Sequence, residues 1–176
     1  MHNPEHYCTE CGFHETHYKS FRSPGDPLVT VIGFWPIEEQ HHNFKDDRWI
    51  SRCHYRTVCN HAHYDLQIIE TPDQAVIPQG VPVIAVEEPY DIQHQNDHYA
   101  VSTKPPEGVI DLPEFNHPAS ATYILGNTHF QRPTDYFKCD GALGLQMDDV
   151  EVARHSPFYG NQMVAMIWYD RKLKGL

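Results

Sequence analysis

The chain has 176 residues, of which 40% are hydrophobic, and this length suits one domain with a buried core of its own. Its formal net charge of −11 argues against broad, nonspecific binding to nucleic acid, because attraction to phosphates needs clustered lysine and arginine. A local basic patch is still compatible with that charge. The five cysteines are an odd number, which does not fit a disulfide scaffold in a chain of this size.

The sequence carries no pattern of export or of membrane insertion. No run of residues approaches the ~18 apolar residues that a membrane span requires. The first residues, MHNPEHYCTECG, have neither the basic region nor the apolar region of a secretory signal. We therefore expect a cytoplasmic protein with no membrane partner.

Residues 1–26 are polar, rich in histidine and cysteine, and run into the turn-forming sequence SPGDP. We interpret them as an arm that precedes a domain over residues 27–176. A C-x2-C-x2-H-x2-H pattern in the arm offers two thiolates and two imidazoles, a donor set that suits tetrahedral zinc. The spacing is tighter than that of a zinc finger, so a His-rich arm without metal is the alternative. The candidate zinc ligands are Cys8, Cys11, His14 and His17.

Apolar and β-branched runs predict a series of strands, and two longer segments predict helices. The strands are expected at 28–34, 65–70, 81–88, 122–125 and 142–145. The helices are expected at 43–61 and 161–174, and the segment between 89 and 114 is expected to be irregular. Strands that alternate with helices indicate an α/β fold with a mostly parallel sheet flanked by helices.

The first predicted helix carries a row of basic side chains on one face, at offsets of 0, 3, 7 and 11 residues. The row consists of Lys45, Arg48, Arg52 and Arg56. It is either a solvated helix face or a surface that contacts RNA phosphates, since arginine offers permanently charged, bidentate donors. A dense group of cysteines and histidines shares this segment, and we expect buried thiols and surface histidines there. That group comprises Cys53, His54, Cys59, His61 and His63.

The C-terminal third carries motifs that resemble those of a known enzyme family. Residues 123–127, YILGN, match a family strand written YILG or FVLG before Asn-Glu-Gly, and the preceding FNHP also matches. Leu145-Gln146-Met147 stands where the family has Ile-Pro-Met, and Tyr159-Gly160-Asn161 stands where it has Ser-Leu-Asn. The closing QMVAMIWYDRKLK, and Arg56-Thr57-Val58 followed by DLQII, are also similar. The chain thus resembles the SPOUT-class knotted RNA methyltransferases of the SpoU/TrmH type over about residues 28–176.

The resemblance implies a C-terminal trefoil knot, a feature that is rare among folds. It also implies a homodimer and a pocket for S-adenosylmethionine (SAM) made by the loops of the knot. Backbone groups would hold the adenine, and apolar side chains would supply the walls. By position, the cofactor-binding residues are Leu125, Gly126, Leu145, Met147, Gly160 and Asn161.

The reaction that the resemblance implies is methyl transfer to a ribose 2′-hydroxyl of tRNA or rRNA. Arg56 corresponds to the family's arginine, with Arg52 as the alternative register. Its expected role is to orient the hydroxyl and to stabilise developing negative charge, because an arginine side chain does not deprotonate in proteins and so makes a poor general base. Asn127 and Tyr159 complete the predicted catalytic group, and Lys45, Arg48 and Arg52 are the predicted RNA-binding residues.

The chain also departs from the family motifs. The family's Asn-x-Gly before the arginine is missing, Thr128-His129 replace Glu-Gly, and Tyr159 replaces the serine. Tyr159 or His129 would then supply the hydrogen-bonding or titrating group. Two alternatives follow: a noncatalytic RNA-binding member of the fold, or a metal-binding protein that uses the N-terminal arm.

Overall fold

The fold is taken from a computed structural model of the chain. The structure describes residues 21–34, 54–69, 71–87, 107–125, 133–146, 148, 158 and 160–176.

A single sheet of six strands forms the centre of the fold. The strands are β1 (Val29–Phe34), β2 (Asp65–Ile69), β3 (Val83–Val86), β4 (Ile110–Asp111), β5 (Ala121–Leu125) and β6 (Gly141–Gly144). They lie in the order β2-β1-β5-β3-β6-β4, and every neighbouring pair is parallel. The predicted α/β class and the parallel sheet are therefore confirmed.

Two helices are described beside this sheet. Residues 54–62 are helical (α1), and the last helix, α2, covers Gly160–Leu173. Basic residues in the last turn of α2 suit the negative end of the helix dipole. The helix ends in a Schellman arrangement, because Gly175 has a φ of 81° and the N–H of Leu176 donates to the carbonyl of Arg171 at 2.9 Å. No helix among the described residues is long and apolar enough to cross a membrane.

The core lies on both faces of the sheet, as expected for parallel strands. All five residues of β5 are buried. On one face, Tyr123 and Leu125 pack in a cluster with α1 and α2, whose buried side chains include Cys59, Met163 and Ile167. On the other face, a smaller cluster comprises Ile32, Ile69, Val83 and Ile124, with Phe137 and Cys139 packed against it.

The fourth strand was not predicted, because it lies in a segment expected to be irregular. Strand β4 contains only two residues, and Ile110 is exposed, so neither the length of the segment nor an apolar pattern predicts a strand there. Strand β4 forms through its pairing with β6, and the Asp111 carboxylate stabilises the backbone that follows each of the two strands. That carboxylate accepts hydrogen bonds from the N–H groups of Leu112 at 3.1 Å and Gln146 at 2.7 Å.

A buried arginine attaches the end of α2 to the sheet. Arg171 is 2% exposed, and its Nη1 donates to the carbonyl of Pro118 at 2.7 Å and to the hydroxyl of Tyr123 at 2.9 Å. Its Nη2 donates to the carbonyl of Ala119 at 2.7 Å. Lys174 adds bonds from Nζ to the carbonyls of the 112–115 turn. The C-terminal end of α2 is thereby fixed beside the segment that leads into β5.

Candidate functional site at the carboxyl edge of the sheet

The central strands end side by side at one edge of the sheet. Residue Gly33 of β1 pairs with Leu125 of β5, and Val86 of β3 pairs with both Leu125 and Leu143 of β6. All these strands are parallel, so their carboxyl ends face the same side. In open α/β sheets, ligands bind in the crevice beyond the carboxyl ends of the strands.

The first residue of α2 packs tightly against this edge. A Cβ atom built on Gly160 would lie 3.4 Å from Cδ2 of Leu125 and 3.0 Å from Cζ of Tyr55, and it would overlap the hydroxyl of Tyr55. Gly160 therefore has no room for a side chain, and α2 begins in close contact with the end of β5. Two predicted cofactor-binding residues, Leu125 and Gly160, are brought together here.

Tyr55 connects three elements at this edge. It belongs to α1, its hydroxyl reaches Gly160, and its ring lies against Gly33, where a Cβ atom would come 3.5 Å from Cζ. Tyr55 was not predicted from the sequence. The signal available there was the spacing of two apolar residues, Tyr55 and Cys59, which lie four positions apart and so on one side of a helix.

Arg56 is buried rather than exposed on the surface of α1. It is 8% exposed, whereas its helix neighbours His54 and Thr57 are exposed. A buried guanidinium is stable only when other groups compensate its charge, and Arg56 does interact with other groups of the protein. The predicted catalytic arginine is thus adjacent in sequence to the tyrosine that contacts Gly160, but it does not belong to a solvated helix face.

The remaining described candidates extend the same region. Leu145 is partly buried and packs against the core cluster that contains Tyr55 and Leu125, as does Phe158, which was not among the predicted residues. Asn161 is half-buried in the first turn of α2. The edge of the sheet therefore offers apolar walls, a helix start without a side chain, and an adjacent buried arginine.

Several predicted site residues lie outside the described residues. They are the cofactor candidates Gly126 and Met147, the catalytic candidates Asn127 and Tyr159 with the alternative His129, the RNA-binding candidates Lys45, Arg48 and Arg52, and the zinc candidates Cys8, Cys11, His14 and His17.

Glu87 is a buried carboxylate at the same edge that the sequence analysis also missed. It follows β3 directly, and its N–H donates to the carbonyl of Leu143 at 2.8 Å. Gly144 lies next to it, since a Cβ atom there would come 3.4 Å from the Glu87 carbonyl. A charged residue immediately after an apolar strand was the available signal.

The described cysteines have the character of structural residues. Burial, with a smaller contribution from Asp65, raises the pKa of Cys59 to about 12. Burial also raises the pKa of Cys139 to about 11, helped by Glu87 and Asp140. Both thiols are therefore protonated near neutral pH and are poor nucleophiles. Cys59 is buried and the histidines near it are exposed, as predicted for that segment. In the described ranges, no group of three or more histidine, cysteine, aspartate or glutamate residues has the arrangement of a metal site.

The comparisons with protein-family models and with curated proteins identify no relative of this chain. No protein-family model matches the chain, and no curated protein matches it significantly.

Proposed function

We propose that the chain is a SAM-dependent RNA methyltransferase that modifies a ribose 2′-hydroxyl of tRNA or rRNA, with the C-terminal knot and the homodimer of the SpoU/TrmH type. The observation that carries the proposal is the packing of Gly160 against Leu125 and Tyr55, next to Arg56, at the carboxyl edge of a parallel sheet. The motifs of the C-terminal third support it, because their residues in β5 and at the start of α2 meet at that edge.

The residues of this edge fit the chemistry of the cofactor. Leu145 is apolar and only partly buried, so it suits the wall of a nucleoside pocket. Leu125 is fully buried and packs against Gly160, the first residue of α2, whose first turn brings backbone N–H groups to the same edge. SAM supplies an activated methyl group on a sulfonium. Transfer would form a bond between that methyl carbon and the ribose oxygen, break the carbon–sulfur bond with S-adenosylhomocysteine as the leaving group, and release the hydroxyl proton.

The protein's contribution would be mainly to position the reacting groups. The guanidinium of Arg56 offers only hydrogen-bond donors, so it would hold the ribose oxygen and stabilise its developing negative charge. The proton would leave to water or to a titrating group such as His129 or Tyr159. Alignment of two reactants in a fixed site can supply roughly 7–11 kcal/mol of the barrier, which leaves little that a strong base must add.

An exposed apolar pair on α2 supports the homodimer. Tyr169 is 62% exposed and Leu173 is 69% exposed, and their spacing of four residues puts them on one face of the helix. Large apolar side chains that adjoin one another on a surface commonly mark a protein–protein contact. A second copy of the chain would cover this face.

The proposal is tested by transfer of a labelled methyl group from SAM to bulk tRNA and rRNA. We expect incorporation with the unmodified protein and a loss of at least about 100-fold with Arg56→Ala, which corresponds to roughly 2.7 kcal/mol of transition-state stabilisation. The matched control is Arg22→Ala, because Arg22 pairs with Asp65 at 3.5 Å in a partly exposed bridge. Since Arg56 is buried, the melting temperature of each variant is measured beside its rate.

The outcomes separate the alternatives. Full activity in a folded Arg56→Ala variant would contradict the assignment of Arg56. Cofactor binding and RNA binding without any transfer would replace the enzyme with a noncatalytic RNA-binding protein of the same fold. Zinc bound by the full chain without cofactor binding would favour the N-terminal arm as the functional element.

A further inference from the structure

The contact between Tyr55 and Gly160 joins two segments that are 105 positions apart in the sequence (160 minus 55). A side chain at position 160 would overlap the Tyr55 hydroxyl and would come 3.0 Å from Cζ, closer than nine in ten contacts of real Cβ atoms. The phenol oxygen therefore occupies the volume that a side chain of residue 160 would fill.

Tyr55 is itself held in place. It is buried in the core cluster with Leu125 and Met163, and its ring lies against Gly33 on β1. A buried aromatic ring packed on two backbone segments cannot swing aside without opening a cavity. The hydroxyl is consequently a rigid spacer between α1 and the start of α2.

This spacer lies between the groups that the proposed reaction must align. Arg56 is the next residue of α1, and Gly160 and Asn161 open the helix that is proposed to contact the cofactor. We infer that Tyr55 is a positioning residue: its hydroxyl sets the separation between the arginine at the ribose and the cofactor-binding start of α2. This inference rests on the proposed function.

The Tyr55 hydroxyl and a side chain at position 160 would overlap, so the structure has room for only one of the two. Tyr55→Phe removes one oxygen and leaves a small gap beside Gly160. Gly160→Ala adds one carbon at the place of that oxygen and forces the two helices apart. In the double variant the overlap with the hydroxyl is gone, and the alanine methyl meets the ring carbon at position 55 at 3.0 Å, a tight contact that a shift of a few tenths of an ångström relieves. The two substitutions are therefore expected to be strongly non-additive.

The experiment measures kcat, the KM for SAM and the melting temperature for the two single variants and the double variant. Gly141→Ala is the matched control, because a Cβ atom there meets Ile84 at 3.5 Å, an ordinary contact. We expect Tyr55→Phe to keep its fold and lose about tenfold or more in kcat, since a misplacement of ~1 Å can cost 100-fold. Gly160→Ala should lose more, in both kcat and melting temperature, and the double variant should recover a large part of both.

Three results would each overturn the positioning role of Tyr55. A kcat in Tyr55→Phe equal to that of the unmodified protein would overturn the positioning role, while the proposed function would stand. Additive losses in the double variant would show that Tyr55 and Gly160 do not compete for one volume, and would overturn it as well. An unmodified protein that neither binds SAM nor transfers a methyl group would overturn the proposed function, and the positioning role with it.

Discussion

The hydroxyl of Tyr123 lies 2.6 Å from Nδ1 of His117, and the other ring nitrogen, Nε2, lies 2.8 Å from the carboxylate of Asp170. Because a carboxylate only accepts hydrogen bonds, Nε2 carries the proton. Burial lowers the pKa of His117, so near neutral pH the ring holds this one proton and Nδ1 accepts the hydrogen bond from the Tyr123 hydroxyl, whose oxygen in turn accepts a bond from Arg171. The buried imidazole is therefore neutral and held in one tautomer, and it joins β5 to the last turns of α2.

Replacement of Tyr123 by phenylalanine should destabilise the fold measurably. The change would remove the donor to His117 and the acceptor for Arg171, and would leave both groups buried. We expect a loss of about 1–3 kcal/mol in the free energy of unfolding by urea. Tyr136→Phe is the control, because Tyr136 is exposed, and it should change stability by less than about 0.5 kcal/mol. Equal effects of the two substitutions would show that the network adds no stability.

Protonation of His117 should make the protein less stable in mild acid. Burial lowers the pKa of His117 below its usual 6.5, and Arg171 and Lys174 lower it further, while Asp170 opposes the shift. As the pH falls through 6.5, the unfolded chain gains a proton that the folded state resists, so stability falls until the lower folded pKa is passed. Above pH 6.5, His117 does not make the free energy of unfolding depend on pH.

The measurement is the free energy of unfolding from about pH 8 to about pH 5, for the unmodified protein and for His117→Gln. The glutamine variant should be less stable at neutral pH but should lose less stability toward acid. The difference between the two curves isolates His117 from the other histidines. Parallel curves would contradict the lowered pKa.

Arg171 should be among the residues whose loss is most damaging. It is buried, it bonds two backbone carbonyls and the hydroxyl of Tyr123, and it has a planar fork that lysine cannot reproduce. We expect Arg171→Leu to cost about 3–5 kcal/mol, and Arg171→Lys to recover only part of that loss. The neighbouring Lys172→Ala, which removes only a contact above the Trp168 ring, should cost at most about 1 kcal/mol.

The exposed face of α2 predicts a dependence of oligomeric state on Leu173. Leu173→Glu should convert a dimer into a monomer, because a carboxylate in an apolar contact would be buried without a partner. Analytical ultracentrifugation over a range of concentrations measures the change. Ile110→Glu, at an exposed position on the edge strand β4, is the control and should leave the dimer intact. A monomeric unmodified protein, or a dimeric Leu173→Glu variant, would contradict the proposed interface.

The regular part of the fold was predictable because buried strands have a strong local signal. The runs at 28–34 and 122–125 are apolar, and both form central strands. Strand β4 was not predictable, since only its pairing with β6 creates it. The start of α2 was predicted within one residue, because Gly160-Asn161 precedes a clear helical segment.

The site was predictable only where a motif supplied it. Leu125 and Gly160 were selected by resemblance, and they lie in contact. Tyr55 and Glu87 have only weak local signals, an apolar pair at helical spacing and a charge after an apolar strand, and they were missed because their importance depends on partners far away in the sequence. The burial of Arg56 was likewise not predictable, since helical periodicity assigned it to a row of basic residues on one helix face. Long-range packing carries no local signature in a single sequence.

The proposed cofactor pocket can be tested by calorimetric titration of the full chain with SAM. We expect saturable binding with one site per chain, weakened at least about tenfold, or roughly 1.4 kcal/mol, by Gly160→Ala but unchanged by Gly141→Ala. The absence of any binding to the folded, unmodified protein would contradict both the cofactor pocket and the methyl transfer proposed to occur there.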